Sequence, residues 1–272
     1  MARNPIITLT TDFGLNDHFV GAMKGVILDI CPDARIVDIN HAVQPFDVLD
    51  GALAISQAYS YYPSGTIHMV IVDPGVGTAR RPILVSGERH LFIAPDNGVL
   101  SLVYDREERL AVRHVTAEHY FLPNRSNTFH GRDIFSPIAA HLAKGVHPQS
   151  FGDEVTDFVR FAAPRPKPAD EHTLRGVVLK VDRFGNLITN VTPKDVPMLF
   201  GDAPPVFKIS VGGKGEIARV YTSYAEGTPG EVFGILGSMG FLEIAANRGS
   251  AAQLLGVGKG SDVSVVMDAI GK

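Results

Sequence analysis

Two stretches decide the fold: Ile6-Ile7-Thr8-Leu9-Thr10-Thr11-Asp12-Phe13-Gly14 and Thr66-Ile67-His68-Met69-Val70-Ile71-Val72-Asp73-Pro74-Gly75-Val76-Gly77. Each begins as an apolar, β-branched run, the signature of a buried strand, and each stops at an acid followed by glycine. Between them lie two helical patterns and a third strand. Phe19, Met23, Val26, Ile27 and Ile30 recur at helical spacing, with Asn16 or Asp17 as the expected cap and Pro32 at the end. Arg35–Asn40 reads as a strand, and Asp47–Tyr61 as a helix burying Leu49, Leu53, Ile55 and Ala58. Strand–helix–strand–helix–strand with short connections calls for a mostly parallel sheet covered on both faces, so the first part of the chain is α/β. In open parallel sheets ligands bind beyond the carboxyl ends of the strands, which places Asp12 and Asp73 at one crevice.

Farther along the texture changes. Arg160–Gly176, with prolines at 164, 166 and 168, suits a stiff linker that is neither helix nor sheet. Short strands punctuated by glycine follow: Val177–Val181, Val206–Val211, Ile217–Tyr221, Gly230–Leu236 and Asp262–Met267. That spacing predicts a smaller antiparallel, barrel-like β domain. The expected organisation is an α/β domain over 1–163, a Pro-rich linker over 164–174 and a β domain over 175–272.

Composition narrows the function classes. With 45% hydrophobic and 20% charged residues the 272-residue chain is globular, which excludes disorder, collagen and coiled coil. Asp plus Glu (29) outnumber Lys plus Arg (25), which argues against a nucleic-acid partner. The single Cys31 builds neither a disulfide nor a Cys-rich zinc site. No signal-peptide pattern and no apolar run of spanning length is visible, so the expected location is cytoplasmic with no membrane partner. The ten histidines show no metal-ligand spacing, and no metal is expected.

Three local clusters carry candidate chemistry. Across the glycine-rich turn after Asp73, Arg80 stands seven residues away, so the loop can fold back and pair guanidinium with carboxylate; a surface ion pair of little consequence is the plain alternative. Gly75-Val76-Gly77 is too short a match for a dinucleotide fingerprint, and Asp12-Phe13-Gly14 lacks the partner motifs of a kinase. Asn127-Thr128-Phe129-His130-Gly131-Arg132-Asp133 puts a histidine at a helix entrance, with a capping Asp133 and an incidental His130 as the alternative. Asp182-Arg183-Phe184-Gly185-Asn186 gathers acid and amide around an aromatic, although a hairpin turn at Gly185-Asn186 explains the pattern too. Gly237-Ser238-Met239-Gly240 reads equally well as a turn.

Taken in order, Thr11–Gly14, Val72–Gly77, Ala94-Pro95-Asp96-Asn97-Gly98, Thr128–Asp133 and Asp182–Asn186 resemble the S-adenosylmethionine (SAM) hydrolases that form adenosine, the SAM hydroxide adenosyltransferases, relatives of the fluorinating and chlorinating enzymes. The resemblance spans nearly the whole chain. It implies SAM as substrate with no cofactor, and a homotrimer whose ligand lies between one subunit's N-terminal domain and a neighbour's C-terminal domain. By motif matching, Asp73, Arg80 and His130 form the catalytic set. Asp12 binds the ribose hydroxyls, Phe46 packs on the sugar, Asp182 takes the methionine ammonium, Ser238 its carboxylate and Asn186 the adenine edge, with Phe184 beside them. The halogenating branch carries Tyr and Thr where this chain has Asp73 and Val76, Tyr-Ser in place of His130-Gly131, Trp for Phe46, and an insertion that is absent between Ser86 and His90. A carboxylate at position 73 repels fluoride, so water is the expected nucleophile. The rivals are a SAM-dependent halogenase, a non-catalytic SAM or adenosine sensor, and a metal-dependent hydrolase built on Asp12, Asp17 and Asp73.

Overall fold

A computed structural model describes residues 4–201 and 203–267; the outer ends of the two expected domains lie outside the described residues. The chain folds as two compact units, Met1–Ala162 and Ala163–Lys272.

The first unit is built on a six-stranded sheet of order β2-β1-β3-β5-β4-β6. Its strands are β1 (Ile6–Thr11), β2 (Arg35–Asn40), β3 (Ile67–Ile71), β4 (Pro82–Ser86), β5 (Leu91–Pro95) and β6 (Ala111–His114). β2, β1, β3 and β5 run parallel, whereas β4 is antiparallel to both β5 and β6. One face, carrying Ile7, Leu9, Met69, Ile71 and Ile93, packs against α1 (Phe19–Ile30) and α4 (Ser136–Ala143). The other, carrying Val70, Val72, Ile83 and Phe92, packs against α2 (Val48–Ala58) and α3 (Ser101–Tyr104). Two apolar layers on opposite faces are what a parallel sheet requires, because its strands have no solvated side.

Details of the helices depart from the pattern read in sequence. α1 is entered through His18, which makes no side-chain cap; Asn16 and Asp17 stay in the exposed turn before it. Apolar packing of Val20, Met23 and Ile27 fixes this helix without a cap. α2 does open on Asp47, whose Oδ1 accepts the Asp50 N–H at 3.1 Å, but it ends at Ala58 and tightens into a 3₁₀ turn over Tyr59–Tyr61.

The second unit is a curled sheet, antiparallel except where β12 runs parallel to β13. It comprises β7 (Lys167–Pro168), β8 (Thr173–Val181), β9 (Leu187–Thr189), β10 (Phe207–Val211), β11 (Lys214–Ile217), β12 (Val220–Tyr221), β13 (Val232–Leu236), β14 (Leu242–Ala246) and β15 (Asp262–Met267), with α5 (Ala251–Leu255). β8 turns the corner: its first half pairs with β15 and its second half with β9, across a register shift near Val178. The Pro-rich segment is therefore part of the sheet. Lys167 and Pro168 pair with Arg175 and Leu174, an edge position where a missing N–H is tolerated. β14, Leu-Glu-Ile-Ala-Ala, is buried on both faces and so shows no alternation in sequence.

Candidate active site

In the first unit the site grows out of the carboxyl ends of β1 and β3. The two strands are paired, Thr11 opposite Ile71, so Asp12 and Asp73 leave the sheet side by side. Burial pushes the Asp12 carboxyl above the ordinary carboxylate range; two backbone N–H bonds oppose the rise and the charge of Asp73 adds to it. Asp12 Oδ2 accepts the Phe46 N–H at 2.8 Å. Phe46 has φ of 65°, a costly conformation for an aromatic residue, and its ring is 74% exposed. A strained, solvent-facing aromatic held by an acid marks a place where a ring is presented to something.

The loop after Asp73 does fold back. Arg80 Nε donates to Asp73 Oδ2 at 2.9 Å and a terminal nitrogen to the same oxygen at 2.5 Å. With side chains 9% and 5% exposed, this is a nearly buried pair and no surface ion pair. The same terminal nitrogen of Arg80 lies 2.8 Å from His130 Nδ1. Guanidinium only donates, so Nδ1 accepts, and the neutral ring carries its proton on Nε2. Burial first, then the Arg80 charge, hold the His130 pKa below the ordinary imidazole value.

Backbone geometry explains how residues fifty positions apart meet. Gly77 has φ of 77°, and a Cβ there would collide with the Asn127 carbonyl oxygen. Only glycine lets the two loops approach this closely. Downstream of Asn127, His130 leads into one π-helical turn, Gly131–Phe135, whose widened backbone is tied by Ser136 Oγ to the Gly131 carbonyl. Asp133 is fully buried, accepts the Ser126 N–H and pairs with Arg132; it fastens the loop and does not cap the helix. Phe135 closes the floor, its ring centroid 5.2 Å from the Arg80 guanidinium carbon.

The second unit holds a cleft of about 830 Å³, within the range of small-molecule sites. Asp182, Phe184, Asn186 and Ser238 all line it. The acid and amide are locked together: Asp182 Oδ1 accepts the N–H groups of Phe184 and Asn186, both at 2.8 Å, and Oδ2 accepts Asn186 Nδ2 at 2.9 Å. Gly185, at φ of 84°, completes this turn against Ser250. Phe184 projects from the tip, 77% exposed. A buried acid, Glu243, faces the same cleft and accepts from Tyr224 Oη at 3.1 Å. Burial, with a further contribution from Asp182, raises its pKa.

Family models for the N-terminal and C-terminal domains of SAM hydroxide adenosyltransferases match residues 7–152 and 176–264. The chain belongs to the SAM hydroxide adenosyltransferase family. A relative from Thermus thermophilus named (R)-S-adenosyl-L-methionine hydrolase is 38% identical over 94% of this chain and 97% of its own length. One of the same name from Salinispora tropica is 38% identical over 97% and 99%. A fluorinase from Nocardia brasiliensis is 30% identical over 97% of each chain. The solved structure of an uncharacterized conserved protein from Thermotoga maritima superposes with a TM-score of 0.88 at 37% identity, covering 96% of this chain and 99% of that one.

In this family member, therefore, Asp73, Arg80 and His130 converge in the first unit beside Asp12 and Phe46, and Asp182, Phe184, Asn186 and Ser238 share one cleft in the second. Glu243 and Tyr224 also line that cleft and were not singled out in sequence; Met239 and Arg248 line it too, from stretches whose sequence reads as simple turns. The signal for Glu243 was an acid inside an otherwise apolar strand; Arg248, in the turn-like stretch Asn247-Arg248-Gly249, has φ of 52°. Among the described residues no three metal-ligating side chains gather, Asp12, Asp17 and Asp73 included, and no helix is long and apolar enough to cross a membrane.

Proposed function

We propose that this protein hydrolyses S-adenosyl-L-methionine to adenosine and L-methionine by attack of water at C5′, in line with the carbon–sulfur bond. The observation that carries the reading is the Asp73–Arg80–His130 set, because a carboxylate that accepts a proton serves water, which has one to lose, and does nothing for a halide, which has none. The names of the relatives most similar in sequence point the same way.

A sulfonium leaves as neutral methionine, so the reaction needs help at the nucleophile more than at the leaving group. Arg80 supplies positive charge to an oxygen gaining negative character, and His130 offers its Nε2–H as a donor to that oxygen. Asp73 fixes the guanidinium and offers its remaining lone pairs to the departing proton. Hydroxide-like oxygen meeting a sulfonium neutralises charge, which a dry site favours. Holding the oxygen in line contributes up to roughly 7–11 kcal/mol of the barrier reduction. No cofactor takes part; SAM is the substrate.

On the substrate side, Asp12 binds the ribose hydroxyls and Phe46 packs on the sugar, while Asp182, Ser238, Asn186 and Phe184 take the methionine and adenine groups. We infer a cytoplasmic homotrimer in which the first-unit residues of one copy meet the second-unit residues of another. Two exposed aromatics, Phe46 and Phe184, support that reading, because each offers an unpartnered ring to a planar ligand. The test is chromatography of SAM incubated with the enzyme in chloride and in fluoride buffer. Adenosine and methionine in both are expected; 5′-halo-adenosine identifies a halogenase, and calorimetric binding without product identifies a sensor.

A further inference from the structure

The motif Ala94-Pro95-Asp96-Asn97-Gly98 has no part in the reaction described above, yet it sits directly beneath the loop that carries Asp73 and Arg80. In the sheet β5 lies between β3 and β4, so the connection from β3 to β4 must pass over the carboxyl end of β5. Asp96 and Asn97 are the first two residues beyond that end. Asn97 Nδ2 donates to the carbonyl of Val72, the residue before Asp73, at 2.8 Å. Asp96 Oδ2 accepts from Arg81 Nε at 2.9 Å and from its terminal nitrogen at 2.7 Å, and Arg81 is the residue after Arg80. The Asp96 N–H returns a bond to the Arg81 carbonyl at 2.8 Å.

The two anchors are themselves fixed. Asn97 Oδ1 accepts the Val99 N–H at 3.1 Å, and Asp96 Oδ1 accepts the Val159 N–H at 2.8 Å. The Asp96 side chain is 3% exposed. Two guanidinium N–H groups of Arg81 on the one Asp96 oxygen make a charge-assisted grip that is stronger than a neutral hydrogen bond.

We propose that Asp96 and Asn97 are positioning residues that clamp both ends of the Asp73–Arg80 loop and so set where the Arg80 guanidinium stands against His130. Within the loop the hydrogen bonds are short-range turns, Val76 N–H to the Asp73 carbonyl and Thr78 N–H to the Gly75 carbonyl, which do not tie it to the sheet. Its ends are tied to the sheet through a strand that is its neighbour in space and not in sequence. This inference rests on the catalytic reading of Asp73, Arg80 and His130.

The experiment compares kcat and KM for SAM in Asn97→Asp, which keeps the acceptor for Val99 and turns a carboxylate oxygen toward the Val72 carbonyl, and in Asp96→Asn, which weakens the grip on Arg81. Each is made alone and combined with Arg80→Ala. A small misplacement of a reacting group costs on the order of 10²-fold in rate, so kcat is expected to fall by roughly 10–100-fold with KM changed less than about threefold. In the Arg80→Ala background Asp96→Asn is expected to cost almost nothing further, because it acts through Arg80, and Asn97→Asp is expected to keep only the smaller part of its loss that reaches Asp73. Asp157→Asn, which removes only the exposed charge facing Arg81, serves as the control and is expected to leave kcat within about twofold. The clamp is overturned if Arg80→Ala is inactive while the folded single variants keep full kcat, or if their losses add undiminished to that of Arg80→Ala. Full activity of Arg80→Ala instead overturns the catalytic reading beneath it. Should Asn97→Asp fail to fold, Asp96→Asn decides the matter alone by the same criteria.

Discussion

Arg80 holds His130 by Nδ1, at 2.8 Å, and thereby leaves Nε2–H as the free end of the imidazole. A histidine pinned in this way works as a neutral donor, and protonation breaks its bond to Arg80. Burial and the Arg80 charge have already lowered its pKa. The expected kcat/KM profile is therefore flat through neutral pH and falls on an acid limb whose midpoint lies below the ordinary histidine value of about 6.5. A stopped assay between pH 4.5 and 8.5 checks this, and a midpoint above 6.5 would mean that the ring is free of Arg80 in the working enzyme.

Removing any one of the three groups is expected to lower kcat by on the order of 10²–10³ while KM for SAM moves modestly, because none of the three is assigned to hold the substrate. Steady-state assays on Asp73→Asn, Arg80→Ala and His130→Ala test it. The first two carry a second cost. Breaking a nearly buried pair leaves an uncompensated charge, so Arg80→Ala is expected to lose about 3–5 kcal/mol of stability, read by urea unfolding, whereas His130→Ala loses less.

Much of this arrangement was legible in the chain. The acids at the ends of β1 and β3 follow from where apolar runs stop, and the Asp73–Arg80 pairing follows from two glycines between them. The link to His130 was legible only through the family resemblance and not from spacing, because it depends on Gly77 meeting the Asn127 carbonyl across fifty residues. Neither was β14, whose two buried faces erase the alternation that identifies a strand. The Pro-rich segment misled for a related reason: proline excludes a central strand but not the edge that Pro168 occupies.

Glu243 illustrates stability given up at a cleft. Its pKa is raised by burial, so the folded protein disfavours the carboxylate; the group's cost is absent below its unfolded pKa and grows as pH rises through the folded one. Glu243→Gln, which preserves the acceptor for Tyr224, is expected to raise the melting temperature at pH 7–8 and to make no difference near pH 4. Paired thermal melts at the two pH values give the answer, and an equal shift at both would assign the effect to packing alone.

Acid sensitivity has a separate origin. His68 is wholly buried, with Nδ1 2.7 Å from Thr8 Oγ1 and Nε2 facing His90, and burial pushes its pKa down to about 3. The unfolded chain binds that proton near pH 6.5, so the stabilising contribution is complete above 6.5 and drains away toward pH 3, at up to about 1.4 kcal/mol per pH unit. Urea midpoints at pH 7 and 5 are expected to differ accordingly, and His68→Phe, which retains the stack on Phe92, is expected to flatten the difference.

The proposed chemistry delivers a solvent oxygen, held by Arg80, Asp73 and His130, to the sugar carbon. Turnover of SAM in water enriched in oxygen-18, with mass analysis of the products, tests it most directly. The prediction is adenosine carrying the heavy oxygen at its 5′ position and unlabelled methionine. Labelled methionine, or adenosine free of label, would contradict it.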